Sequence, residues 1–199
     1  MKNSDKHTLR KQFRNRRNRL SQEQQCRAAS ALLKQVLSSG VLQRVKTLAL
    51  FIANDGEISP EPLLHYCWQQ NIATYVPALD PQKNGYLRFY PYDSSTQLIP
   101  NRWGIPEPNI DASTPIPVTQ LDLVLLPLVA FSKLGQRLGM GGGFYDRTFE
   151  CLQTTTGRQV KLVGVAHQCQ QTECIATDDW DINMDAIITD TQYLEINRC

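Results

Sequence analysis

One stretch of the chain concentrates residues able to do chemistry: FSKLGQRLGMGGGFYDR, Phe131 to Arg147. Gly139, Gly141, Gly142 and Gly143 lie between an apolar run and the start of a helical pattern. Glycine tolerates positive φ and lets a backbone approach a ligand closely. A helix beginning near Phe144 directs its free N–H groups and positive dipole end at that loop. The combination suits phosphate. Arg137 can offer a guanidinium fork to two phosphate oxygens, and Asp146 a hard oxygen ligand for a magnesium ion bridging phosphates. No GK[ST] follows the glycines, so this is not a P-loop. The dinucleotide fingerprint wants an acidic residue at the end of the next strand, where this chain has His167 and Gln168. A tight structural turn would leave the same glycine pattern.

Such a loop needs a strand before it and a helix after it. LDLVLLPLVAF, Leu121 to Phe131, reads as the strongest buried strand, and residues 144–155 read as the helix. TLALFIA, Thr47 to Ala53, is a short continuous apolar run suited to a parallel strand buried on both faces. Ser59 and Pro60 open a helix over residues 60–70, Ser as N-cap and Pro in the first turn. Strands are expected at residues 73–76, 86–92, 160–166 and 186–189. Asp93 to Gln120 is rich in Pro, Asn, Asp, Ser and Thr and reads as long loops. This order predicts an α/β fold over residues 1–199 as one domain. The expected architecture is a mostly parallel central sheet with helices on both faces, Rossmann-like and three-layered.

The first 27 residues hold nine Lys and Arg against Asp5 and Glu23, while the remainder holds 12 basic and 17 acidic residues. Leu9, Phe13 and Leu20 give this arm one narrow apolar stripe, so it reads as a basic helix. Ser21 and Gln24 form a capping-box pattern that opens a second helix to about Ser38, where Gly40 stops it. Most of the arm's arginines read as a solvated face. An RNA-binding module would also carry a basic helix, but no aromatic stacking platform stands beside this one.

Composition bounds the alternatives. With 199 residues, 41% hydrophobic and 20% charged, the chain can bury a real core. A net charge of +2 does not by itself call for nucleic acid. The longest apolar run, Leu123 to Phe131, contains Pro127 and falls far short of the roughly 20 residues of a spanning helix. No continuous apolar segment opens the chain, so it is not read as secretory, although a basic, acid-poor start also suits a transit peptide. Six scattered cysteines without a CxxC pair suit reduced thiols in the cytosol better than disulfides or zinc. His167, next to a strand end, reads as a capping or core histidine, and Cys169 and Cys174 lack metal spacing.

PLVAFSKLGQRLGMGGGFYDR resembles the signature of the 5-formyltetrahydrofolate cyclo-ligase family. Further segments match in order: DKHTLRKQFRNRR at the start, DGEIS from Asp55 to Ser59, WGIPEP from Trp103 to Pro108, VGVAHQCQ from Val163 to Gln170, and DDWDINMDAIITD from Asp178 to Asp190. The matches cover almost the whole chain. Three positions depart from the family pattern: Ser132 stands for the usual Asp, Phe144 for Tyr, and Ala78 for a basic residue after Pro77.

The resemblance implies ATP- and Mg2+-dependent conversion of 5-formyltetrahydrofolate to 5,10-methenyltetrahydrofolate, with release of ADP and phosphate. It implies ATP contacts from Lys6, Arg10, Arg137, Leu138, Gly139, Met140, Gly141, Gly142, Gly143, Phe144 and Tyr145. Lys6 and Arg10, at i and i+4, share one helical face. Arg137 and Asp146 are the expected catalytic pair, and Asp146 and Asp181 the expected metal ligands, with Asp185 the alternative to Asp181. Ile52, Glu57, Met140 and Trp103 are the expected folate contacts. A cytoplasmic monomer with no nucleic-acid or membrane partner completes the expectation.

Overall fold

A computed structural model describes residues 3–154 and 160–196. Two helices open the chain, α1 (Asn3–Asn18) and α2 (Gln22–Ser38). The capping box at their junction is present: the Ser21 hydroxyl accepts from the Gln24 N–H, and the Gln24 side chain accepts from the Ser21 N–H. Then come β1 (Thr47–Ala49), α3 (Glu61–Gln69), β2 (Ala73–Leu79) and β3 (Leu87–Pro91). A small hairpin, β4 (Leu98–Pro100) and β5 (Pro106–Pro108), lies inside the stretch expected to be loop. The rest are β6 (Leu123–Pro127), β7 (Ala130–Ser132), β8 (Arg137–Leu138), α4 (Phe144–Phe149), α5 (Cys151–Thr154), β9 (Lys161–Val165), β10 (Gln171–Thr172), β11 (Ala186–Ile188) and β12 (Tyr193–Glu195).

Seven strands form the central sheet in the order β12-β11-β9-β6-β1-β2-β3. The five inner strands run parallel, and β12 and β3 close the edges antiparallel. Side chains alternate between two faces, as strand geometry requires. On one face Leu48, Leu123, Leu125, Val163 and Ile188 pack against Leu32 and Val36 of α2 and Leu63 and Leu64 of α3. On the other, Ala49, Val124, Leu126 and Leu162 pack against Phe149 and Leu152 of α4 and α5. The α/β expectation with helices on both faces holds. No helix among the described residues is long and apolar enough to cross a membrane. Cys26, Cys67, Cys169 and Cys174 are free thiols, while Cys199 lies outside the described residues.

Several expected elements are corrected. The run from Leu121 to Phe131 is not one strand. It leaves the central sheet at Pro127 and resumes as β7 in a separate three-stranded sheet with β8 and β10. Hydrophobicity continued across the break because both sides are buried. The break is held by Gln170, whose buried amide donates to the carbonyls of Leu128 (2.6 Å) and Val129 (2.9 Å). The helix expected over residues 144–155 is two short pieces, and residue 155 lies outside the described residues. At α3 the cap position is Pro60 rather than Ser59, and Ser59 Oγ accepts from the Glu61 N–H instead. Leu20 falls beyond the end of α1.

The strand order changes direction between β1 and β6, since β2 lies on one side of β1 and β6 on the other. In open parallel sheets such a point opens a crevice at the carboxyl ends of the strands. The segment after β1 carries Asp55 and Glu57, and the segment after β6 leads to the glycine loop.

Candidate active site

Four cations stand on or beside the glycine loop. Arg10 of α1 donates from Nε to the Gly139 carbonyl at 2.9 Å. Its guanidinium also fills the space at Gly141, where an added Cβ would lie 3.2 Å from Arg10 Cζ with φ at +95°. Lys6, one turn earlier, reaches Asp178 at 2.6 Å and Asp181 at 3.9 Å. Arg137, buried at the start of β8, pairs with Asp146 of α4. Ile182 ties this pair to the third segment: its carbonyl accepts from Arg137 Nε (3.2 Å) and its N–H donates to Asp146 Oδ1 (3.2 Å). Arg147 bridges the loop to the β2–β3 turn, donating to the carbonyls of Gly142 and Gly85. The sequence reading gave Arg147 no role.

The loop, α1 and the 178–182 segment thus converge from widely separated parts of the chain. Because α4 has only six residues, its dipole adds little, and the positive charge comes mainly from these side chains. Leu138 faces away: its side chain packs with Phe13, Val129 and Ile175, leaving only its backbone toward the loop. Met140 and Trp103 are 52% exposed, and Trp103 sits edge-on to Phe144 with ring centroids 5.6 Å apart. Trp103 is therefore a surface aromatic over the loop, not a core one. Ser132 is buried, and its hydroxyl closes the β7–β8 turn by accepting from the Leu134 N–H.

Glu57 lies on the turn after β1. Its carboxylate accepts from the Asn54 N–H (3.1 Å) and stands 3.6 Å from Arg17. Burial pushes its carboxyl up to about 7, against the pull of Arg17. Glu57 in turn adds to burial in raising the Tyr145 phenol, so α4 also faces this turn. Ile52 is partly buried and packs on the core beneath. His167 is buried, burial lowers its pKa, and its Nε2 makes no hydrogen bond among the described residues. Of the two readings the sequence offers, capping or core, burial supports the core one, and the residue also stands at the cap position of the short turn 168–170.

Arg16, Arg19 and Arg27 are exposed, as expected of most of the arm's arginines, but two depart from that face. Arg17 is fully buried and Arg14 is engaged, both on Asp55. Period alone hid this, because a buried arginine and a solvated one look alike in sequence.

For the implied magnesium, the available donors are Asp146 and Asp181, placed around Ile182. No cluster of three or more His, Cys, Asp or Glu able to hold a metal occurs among the described residues. Magnesium carried by a nucleotide needs only one or two carboxylates and fills its shell with phosphate and water. The pair fits that case and not a resident ion. Asp185 is committed to the sheet, its carboxylate accepting from the Leu162 N–H at 2.7 Å.

Fold and site together define an α/β enzyme domain whose glycine loop is ringed by cations from distant segments. The profile of the 5-formyltetrahydrofolate cyclo-ligase family matches residues 2–190, and the chain belongs to that family. It is 37% identical over 183 residues to the 5-formyltetrahydrofolate cyclo-ligase of Escherichia coli (strain K12), covering 92% of this chain and 99% of that one. The enzyme of the same name from Haemophilus influenzae is 38% identical, with coverage of 92% and 96%. Among solved structures, the 5,10-methenyltetrahydrofolate synthetase of Aquifex aeolicus superposes with a TM-score of 0.80 at 27% identity, covering 98% of this chain and 94% of that one.

Proposed function

We propose that the protein converts 5-formyltetrahydrofolate and ATP to 5,10-methenyltetrahydrofolate, ADP and phosphate, with magnesium accompanying the nucleotide. The observation that carries this reading is the docking of Arg10 and Lys6 from α1 onto the glycine loop and the 178–181 segment. It gathers cations where a triphosphate would lie.

The formyl oxygen is a poor leaving group. The γ-phosphoryl group moves from ATP to that oxygen, releasing ADP. N10 of the folate then attacks the activated carbon, phosphate departs with the former formyl oxygen, and N10 loses its proton. Little of this needs a protein nucleophile, so the protein acts by positioning and by neutralising charge. Lys6 and Arg10 hold the β- and γ-phosphates, and the backbone at residues 139–143 lines them. Arg137 exchanges part of its contact with Asp146 for the transferring phosphoryl oxygens. Asp146 and Asp181 would hold the magnesium, which supplies charge neutralisation on the phosphates. Glu57 accepts N–H bonds from the pterin, with Ile52, Met140 and Trp103 around the folate.

The test mixes purified protein, 5-formyltetrahydrofolate, MgATP and buffer and follows the near-ultraviolet absorbance of the methenyl product. ATP-dependent growth of the signal, abolished by a chelator, is expected. A flat trace from folded protein overturns the reading.

A further inference from the structure

The first helix ends in a clamp on the turn that carries Glu57. Arg17, fully buried, donates from Nε to the Asp55 carbonyl (2.7 Å), from Nη2 to the Asp55 carboxylate (2.9 Å), and from Nη1 to the Leu128 carbonyl (3.3 Å). Arg14 donates to the same carboxylate at 2.7 Å and Asn18 at 3.1 Å. The turn is shaped for this. Gly56 has φ of +73°, and a Cβ there would fall 2.0 Å from the Asn18 side-chain oxygen. A structural anchor would need only the bonds to Asp55. Arg17 Nη2 also lies 3.6 Å from Glu57 Oε1, with Glu57 itself only 13% exposed.

We propose that Arg17 is a positioning residue for folate binding, fixing both the place and the charge of the Glu57 carboxylate from the same helix that carries Lys6 and Arg10. This rests on the folate role given to Glu57 above. A neutral residue at position 17 would leave two neighbouring carboxylates, Asp55 and Glu57, facing each other in a poorly hydrated turn. One would then take up a proton, and a protonated Glu57 is a poorer acceptor for a pterin N–H. The charged and titratable groups around Glu57 are Arg17 from α1, Asp55 from its own turn, Tyr145 from α4 and, after β9, His167, which bonds the Gly56 backbone of the same turn. Arg17 favours the anion, and Asp55 opposes it. Substitutions at these two positions must therefore move the protonation of Glu57 in opposite directions.

The experiment uses the full chain as wild type, Arg17→Gln, Arg17→Lys and Asp55→Asn. Calorimetric binding of 5-formyltetrahydrofolate is measured across a pH series on both sides of neutrality, with KM for folate and ATP determined separately. In the wild type, affinity rises as pH passes about 7. Arg17→Gln is expected to raise the folate KM about tenfold at neutral pH while the ATP KM changes by less than about threefold. Its pH midpoint moves up, Arg17→Lys recovers part of the loss, and the near-isosteric Asp55→Asn moves the midpoint down. A merely structural arginine would lower the melting temperature without these opposed shifts.

Folded Arg17→Gln with a wild-type folate KM and midpoint overturns the inference, as do shifts of the same sign in both variants. If Arg17→Gln does not fold, Arg17→Lys decides: a raised folate KM with a displaced midpoint and an unmoved ATP KM supports the inference, and wild-type folate KM and midpoint overturn it. A wild-type chain that binds no 5-formyltetrahydrofolate overturns the functional reading first. A wild type that binds and turns over, with unmoved variants, overturns only the role of Arg17.

Discussion

Arg10 and Gly139 lie 129 residues apart in the chain, yet the Arg10 Nε donates to the Gly139 carbonyl at 2.9 Å. A charged donor on a neutral carbonyl contributes about 1.5 to 3 kcal/mol. The bond ties the glycine loop to α1 across that separation.

Arg10→Ala should therefore raise the KM for ATP by about tenfold or more, with a smaller effect on the folate KM. Initial rates with each substrate varied in turn check this. Gly141→Ala should have a similar effect by a different route. Its positive φ is strained for alanine, and the added methyl presses on Arg10 Cζ at 3.2 Å.

The Arg137–Asp146 pair should be indispensable for turnover. Either residue changed to alanine is expected to lower kcat by at least about a hundredfold. Because Asp146 is partly exposed, Asp146→Ala should cost only about 2 kcal/mol of stability, so the chain stays folded. Loss of activity with retained circular dichroism is the expected outcome, and full activity in either variant would overturn the assigned roles.

Glu57 should make the protein less stable at neutral pH than it would otherwise be. Its carboxyl is raised from 4.5 to about 7 in the fold. The native state then holds a proton that the unfolded chain has released, so stability falls as pH rises from about 4.5 to about 7. Glu57→Gln should remove that decline and gain about 2 to 3 kcal/mol at neutral pH, while folate binding is lost. Urea unfolding at a series of pH values tests it. A variant no more stable than wild type at neutral pH would contradict the burial argument.

Asp55 runs the other way. Burial pushes its carboxyl up, but hydrogen bonds from Arg14, Asn18 and Arg17 outweigh that and hold it at about 2. The stability it contributes is present above its ordinary value of 3.8 and is lost as pH falls toward 2. Asp55→Ala should cost about 1 to 2 kcal/mol at neutral pH and flatten that part of the acid-unfolding curve.

The glycine loop and the Arg137–Asp146 pair were legible because they are local: glycines, Arg137 and Asp146 fall within ten residues. The parallel sheet was legible because strands buried on both faces leave continuous apolar runs. The departure at Pro127 was not, since β6 and β7 are both apolar and the side chains that fill the gap between them, Gln170 and Arg17, are distant in sequence. The burial of Arg17 was hidden for a related reason. Its partners Asp55 and Leu128 are distant in sequence, and a helix-face pattern cannot say what arrives later to cover it.

The order in which the chain is made adds a constraint. α1 is synthesised before nearly everything it touches: Gly139, Asp178 and the Leu128 carbonyl that Arg17 shares with Gln170. At about 5 to 20 residues per second, it waits on the order of ten seconds or more for those partners. Through that interval Asp55 is already available to Arg14, Arg17 and Asn18, but Phe13 still lacks Val129, Leu138 and Ile175 to pack against. The helix is therefore translated first and docked in two stages: its C-terminal end finds Asp55 early, while Lys6 and Arg10 wait for residues 178 and 139.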